Sequence, residues 1–192
     1  MVALVFGAVD AKADAQLTFI TAPGSWSPGS PLPATGAVFD VNGTTGLDST
    51  FEGQVYAGTS SGSLTKLGNP GVFGSAGGSP NSLFNGLIFD GSTLTLTGVN
   101  PGAGFYQLKV WQISAGSSYE VASTVAGSKA GTSAITAITF GGTPVGGGTG
   151  TPAPNVDNFT SFSVATVAAV PEPTTLALGL FGAAGLLIRR RK

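Results

Sequence analysis

Residues 104–114 read GFYQLKVWQIS, and this stretch decides the fold class. Tyr106, Leu108 and Val110 fall on one side of an extended chain, and Phe105, Lys109 and Trp111 on the other. Two-residue alternation carried by aromatic and β-branched side chains marks a strand with one face on a core. A second stretch, FEGQVYA at 51–57, repeats the pattern: Phe51, Gly53, Val55 and Ala57 face one way, Glu52, Gln54 and Tyr56 the other.

Outward from these two, strands are expected at 16–20, 36–41, 63–67, 83–89, 92–99, 134–140 and 158–167. In 36–41 the alternation sets Ala37, Phe39 and Val41 against Val38 and Asp40, before an Asn42-Gly43 turn. The strands at 83–89 and 92–99 are expected to form a hairpin through Asp90-Gly91, a favoured two-residue turn, with Leu94 and Leu96 inward. The last strand should point Phe162 and Val164 inward. Residues 117–126 fit a short helical turn and an irregular strand equally well. The Pro-, Gly- and Ser-rich stretches 21–35, 69–82 and 141–155 read as loops, the last a flexible one. About nine short strands spaced by turn chemistry, with no convincing amphipathic helix, predict an all-β domain over 16–169, an antiparallel β-sandwich of jelly-roll type.

Composition removes whole classes of function. The chain has no Cys and no His. Disulfides, Cys nucleophiles, Ser-His triads and His- or Cys-held zinc and haem are therefore excluded. Gly (31) and Pro (12) are abundant and charged residues make up only 9%, which approaches low complexity, but 2 Trp, 3 Tyr and 12 Phe are enough to seed a core. Within 16–170, Asp40, Asp48, Glu52, Asp90, Glu120 and Asp157 face only Lys66, Lys109 and Lys129, a net charge of −3. With no basic run in the domain, nucleic acid is not an expected partner.

The remaining residues are compatible with three kinds of site. Two carboxylates among Asp40, Asp48, Glu52, Asp90 and Glu120 would be needed for glycoside hydrolysis, facing each other across a cleft. Asp40 and Asp90 precede Gly-containing turns, where Asp is a turn former, so surface roles are expected and the domain reads as non-enzymatic. Asp40, Asn42 and Asp48 offer oxygen ligands of the kind calcium takes, but their spacing matches no EF-hand, and neither a metal nor a cofactor is expected. Trp26, Tyr56 and Trp111 are the aromatic residues best placed to stack on sugar rings; packing between sheets is the alternative for each.

The C-terminal residues 170–192 read VPEPTTLALGLFGAAGLLIRRRK and fall into three parts. Pro171, Glu172 and Pro173 form a stiff extended tripeptide with one charge, suited to recognition by another protein. Residues 174–188 carry no charge and would form a helix of roughly 22 Å at 1.5 Å per residue. A bilayer core is about 30 Å thick, so the helix spans only where lipid thins and flanking basic side chains snorkel. Gly179, Gly182 and Gly185 leave one face bare for another helix. Arg189, Arg190, Arg191 and Lys192 stay on the cytoplasmic side, which puts residues 16–169 across the membrane. A plain single-pass anchor is the competing reading. In a buried core helix the cations would have no role.

The order PEP, apolar helix, basic cluster resembles the PEP-CTERM sorting signal. The resemblance covers 170–192 and implies that the chain is a substrate of an exosortase-type transpeptidase. That enzyme cuts near the PEP motif and passes the protein to the cell surface or an extracellular polysaccharide matrix. The segments FEGQVYAG and GFYQLKVWQISAGSSYE also resemble a recurring domain found before such tails, one with no assigned activity. At the other end, residues 1–15, MVALVFGAVDAKADA, read as the back of a secretory signal peptide, with Ala13-Asp14-Ala15 as the small-x-small cleavage pattern. A basic n-region is missing, which points to a start upstream of Met1; an apolar first element of the fold is the alternative. Export by the secretion machinery, cleavage after Ala15 and transient holding by the C-terminal helix are the resulting expectations.

Overall fold

The computed structural model describes residues 13–76, 79–144 and 149–169. They form an all-β domain whose helical content is one four-residue helix and two 3₁₀ turns. The long strands are β1 (Ala15–Ile20), β3 (Phe51–Gly58), β4 (Thr65–Val72), β7 (Ile88–Leu96) and β8 (Gly102–Gln112). Shorter ones are β2 (Val38–Phe39), β5 (Ser75–Ala76), β6 (Ser79–Pro80), β9 (Lys129–Thr132), β10 (Thr136–Phe140), β11 (Phe162–Ser163) and β12 (Ala165–Thr166).

The two deciding stretches lie side by side. β3 and β8 pair antiparallel over eight consecutive residues, from Phe51↔Gln112 to Gly58↔Phe105. β4 adds to one side of this pair, and β9 with β12 to the other, giving the order β12-β9-β8-β3-β4 with β10 also on β8. A second sheet runs β1-β7-β5-β6, and β2 pairs with β11. The inward alternation is as read: Val55, Ala57, Tyr106, Leu108 and Val110 are fully buried. They share one core with Leu17, Phe19, Ile88, Leu94 and Leu96 of the second sheet. Burying a side chain of this size contributes about 1.5–3 kcal/mol, so this shared core is the main source of stability. Glycine lets the sheets approach. A Cβ on Gly53 would lie 2.8 Å from Ile88 Cδ1, and one on Gly71 would lie 2.9 Å from Phe19 Cε1.

Several expectations are corrected. The hairpin at Asp90-Gly91 does not form: β7 runs straight through it. Thr18 pairs with Thr93 and Ile20 with Phe89, so one residue of β1 faces three of β7 in a bulge. A type I′ turn needs positive φ at both central residues; Gly91 has it (φ 76) and no described non-Gly residue does. The 69–82 loop instead holds the end of β4, β5, β6 and the start of a 3₁₀ turn (Ser82–Phe84). The 36–41 strand shrinks to β2 and its two expected faces are not kept apart: Ala37 and Val38 are both fully buried and Val41 is 48% exposed. The cause is the turn after it, where Asp40 N–H bonds the Thr45 carbonyl and Asn42 Oδ1 accepts from the amides of Thr44 and Thr45.

The expected last strand splits into β11 and β12, which pair with different partners, although Val164 points inward as expected. Residues 117–126 resolve toward helix: α1 (Tyr119–Ala122) starts at Ser118, whose Oγ accepts from Val121 N–H. β9 was not anticipated, because KAGT has no apolar alternation. The described part of 141–155 is tied down, with Gly142 bonded to Thr151 and Thr18 N–H to the Pro154 carbonyl. β5–β7 and β2–β11 are parallel, so the pairing is mixed where all-antiparallel was expected. Residues 174–188 lie outside the described residues, and no helix among the latter is long and apolar enough to cross a membrane.

Candidate functional site

Pro171, Glu172, Pro173 and the cations Arg189–Lys192 lie outside the described residues. What is described is how the domain hands over to them. β12 pairs with the edge of β9. Val167 follows, held by N–H to the Ser128 carbonyl (2.8 Å) and by its own carbonyl to Gly127 N–H (2.9 Å). Its side chain packs on the cluster of Trp111, Ala122 and Ala130, alongside Ala115 and Tyr119. Ala168 and Ala169 are exposed, and Val167 is the last described residue with a backbone hydrogen bond to the rest of the domain.

The handover sits on an excursion, residues 113–128, that leaves β8 after Gln112 and returns as β9. It folds over the outer face of the larger sheet and covers Trp111, which is 1% exposed and donates its indole N–H to the Gly116 carbonyl (3.0 Å). Of the three proposed sugar-stacking residues, Tyr56 and Trp111 therefore share one sheet face, but Trp111 is closed off. Trp26 belongs to the other side of the molecule. It folds back on Ala22, Ala37 and Leu87, and its ring centroid is 5.7 Å from Phe84, which is 5.4 Å from Phe89. The three residues make no common platform.

Tyr56 belongs to a different constellation, which alternation alone did not signal. Lys109 Nζ lies 4.0 Å from the Tyr56 ring centroid and 5.2 Å from that of Tyr119, and it pairs with Glu120 at 3.2 Å. The Tyr56 hydroxyl donates to the same Glu120 oxygen at 2.7 Å. Lysine on an aromatic face is a cation–π contact, and here it ties α1 to the β3–β8 pair. Tyr56 and Lys109 are diagonal neighbours across that pair; what no local pattern foretells is that Glu120 arrives from the excursion.

The electrostatics follow. Burial pushes the Tyr56 hydroxyl above its usual range, and the Glu120 carboxylate adds to this. For Glu120, partial burial works upward, but the Tyr56 hydroxyl, the backbone amide and Lys109 outweigh it and bring the carboxyl down to about 2. A depressed folded-state value stabilises above the unfolded value of 4.5 and loses that contribution as pH falls toward 2. The stability difference between the natural chain and Glu120→Gln is expected to be constant above pH 5 and to close between about pH 4.5 and 2. Its size stays below about 1 kcal/mol, because the carboxylate is 55% exposed. Urea midpoints of both proteins across that range check it, and a difference independent of pH would refute the assignment.

The remaining acids are engaged separately. The Lys129 ammonium, at 2.8 Å, holds the Asp40 carboxyl below its usual range against opposing burial. Asp48 accepts from the amide and hydroxyl of Thr50, and Asp90 from the Ser92 hydroxyl. Burial raises Glu52 and Asp157. Asn42 and Asp48 thus spend their oxygens within their own turns and Asp40 is paired with Lys129, and no group of three metal-holding side chains occurs among the described residues. A surface depression lined by Thr59, Phe105, Ile138, Pro154 and Asn158 carries no ionisable side chain. Gln54, 1% exposed, donates through Nε2 to the Leu67 and Gly68 carbonyls and braces the β3–β4 bulge.

No curated protein and no solved structure matches the chain. Residues 169–192 match the family model for the PEP-CTERM protein-sorting motif. The match begins at the exposed residues that follow Val167, where the domain's last hydrogen-bonded contact ends. The chain thus carries a PEP-CTERM sorting motif at its C-terminus, a signal that implies export and exosortase-dependent sorting at the cell envelope.

Proposed function

We propose that the chain is a non-enzymatic structural or adhesive protein, delivered by its tail to the cell surface or an extracellular matrix. The domain of residues 16–169 is a β-sandwich, a reading supported by the single core shared by both main sheets. It is exported by the general secretion machinery. Signal cleavage after Ala15 takes place before folding, because Ala15 is fully buried in β1 and paired with Leu96. The helix of 174–188 holds the precursor in the membrane, Arg189, Arg190, Arg191 and Lys192 set its orientation, and an exosortase-type transpeptidase acts at Pro171, Glu172 and Pro173.

The observation that carries this reading is the match at 169–192, which begins two residues after Val167, the last described residue hydrogen-bonded to the domain. A carbohydrate-binding role in an extracellular polysaccharide is the second reading. It is favoured by the row of Trp26, Phe84 and Phe89, where Phe89 is 38% exposed. The rings are tilted by 57° and 51°, so such a site would grip a single twisted chain and not a flat polysaccharide face.

The intact mass of the protein recovered from the surface of its own host tests the main reading. A species starting at Gln16 and ending near the PEP motif is expected, with any added mass reporting the attachment. A species that still carries Arg189–Lys192 would make the tail a simple anchor and overturn the processing role.

A further inference from the structure

The excursion of residues 113–128 has two sides. On its inner side Ala122 is buried against Trp111 of β8. Three of its apolar side chains, Ile113, Val121 and Val125, are exposed by 40, 51 and 41%. They are three of the seven large apolar side chains exposed among the described residues. The excursion carries a single charge, Glu120, already paired with Lys109; its other exposed side chains include the hydroxyls of Ser114, Ser117 and Thr124.

The same excursion is where the chain leaves the domain, since Gly127 and Ser128 hold Val167 on both sides. From Ala169 to Thr174, the first residue of the apolar tail, there are five peptide steps. At 3.3–3.6 Å each they reach at most about 18 Å. Two of the intervening residues are prolines, whose fixed φ restricts the conformations open to such a link. With the tail in a bilayer, Ala169 is held within that reach of the lipid surface, and the Gly127–Ser128 end of the excursion is bonded to Val167 two residues before it. A tether this short raises the effective concentration of the contact, so three modest apolar side chains suffice where a free domain would not bind.

We infer that Ile113, Val121 and Val125 form a lipid-interface contact that seats the domain on the outer leaflet while the tail is in the membrane. The inference rests on the membrane-held precursor proposed above. The contact is apolar, because no unpaired cation lies on the excursion to attract anionic lipid. It fixes which side of the domain faces the bilayer and keeps the PEP tripeptide at the lipid surface.

The chain lacks Cys, so single Cys variants of the full chain accept one environment-sensitive fluorophore. The probe membrane is a phosphatidylcholine vesicle carrying a headgroup-level quencher. At Val125→Cys a blue shift and quenching are expected, unchanged by added salt. At Ser61→Cys, in the exposed turn at the opposite end of β3, the emission should remain that of a dye in water. Val121→Asp should abolish quenching at Val125→Cys while the protein still floats with the vesicles. If the chain does not float with vesicles, the membrane-held precursor fails and this inference with it. If it floats but Val125→Cys reads as water, or its signal falls with salt, the apolar seat is overturned and the anchor stands.

Discussion

Replacing Glu172 by Ala is expected to leave full-length chain in the membrane fraction, where the natural protein is recovered without its tail. Glu172 is the single charge between the two prolines, and Pro171 and Pro173 present it on an extended backbone. Removing a carboxylate that an enzyme holds by charge-assisted hydrogen bonds costs about 1.5–3 kcal/mol. That corresponds to processing slowed about ten- to a hundredfold. Deleting Arg189–Lys192 should block processing by another route, since without cations the helix loses its fixed orientation and the PEP motif is no longer presented on the outer side. Fractionation and intact mass separate the outcomes. Unchanged processing of both variants would remove the roles assigned to these residues. Both changes lie outside the domain of residues 16–169, so its urea midpoint is expected to stay the same, which distinguishes a sorting defect from misfolding.

The largest effect on stability is expected at Trp111. Trp111→Ala should cost about 3–5 kcal/mol, the range for emptying a large aromatic site. It also leaves the Gly116 carbonyl without its 3.0 Å donor and removes the surface on which Ala122 and Val167 pack. The excursion and the chain exit should loosen together. Amide exchange at 119–130 and 165–167 should rise more than in β3, and the urea midpoint should fall. Trp111→Phe keeps most of the packing and loses only the indole hydrogen bond, so its cost should be much smaller. A Trp111→Ala protein within about 0.5 kcal/mol of the natural chain would mean that the ring is an accessible surface, as a sugar-stacking role requires. The structure leaves that role little room, because reaching Trp111 means lifting the excursion and breaking the Lys109–Glu120 and Tyr56–Glu120 contacts.

Alternation in residues 104–114 and 51–57 was enough to assign both strands and their inward faces, because the pleat repeats every two residues whatever the partner. The sorting motif was legible for a similar reason: an extended tripeptide, an apolar run and a basic cluster act in sequence order and need no distant contact. Where two local readings are physically equivalent, the chain in isolation could not choose. Asp90-Gly91 suits a hairpin or a bulge, and pairing with β1 decided for the bulge. Val38 and Val41 are equally apolar, and only the turn at Asp40–Thr45 determined which is buried. β9 has no pattern of its own; it is a strand because β8 offers it hydrogen bonds.

The candidate site divides the same way. Tyr56 and Trp111 were legible as aromatics off the main core face and Trp26 as a loop aromatic, which are local properties, and Tyr56 and Trp111 do stand on the outer face of their sheet. Whether they are accessible was decided by residues 113–128 folding back over β8 and by loop 21–35 folding onto Leu87. The sequence by itself determined the strand class, the inward faces of the two long strands and the address carried by the tail. The tertiary structure decided which aromatic rings are covered, that Glu120 meets Tyr56 and Lys109, and where the chain leaves the domain. Burial and ion pairing depend on elements far apart along the chain meeting in space, and nothing in the local period of a strand encodes which element will cover its outer face.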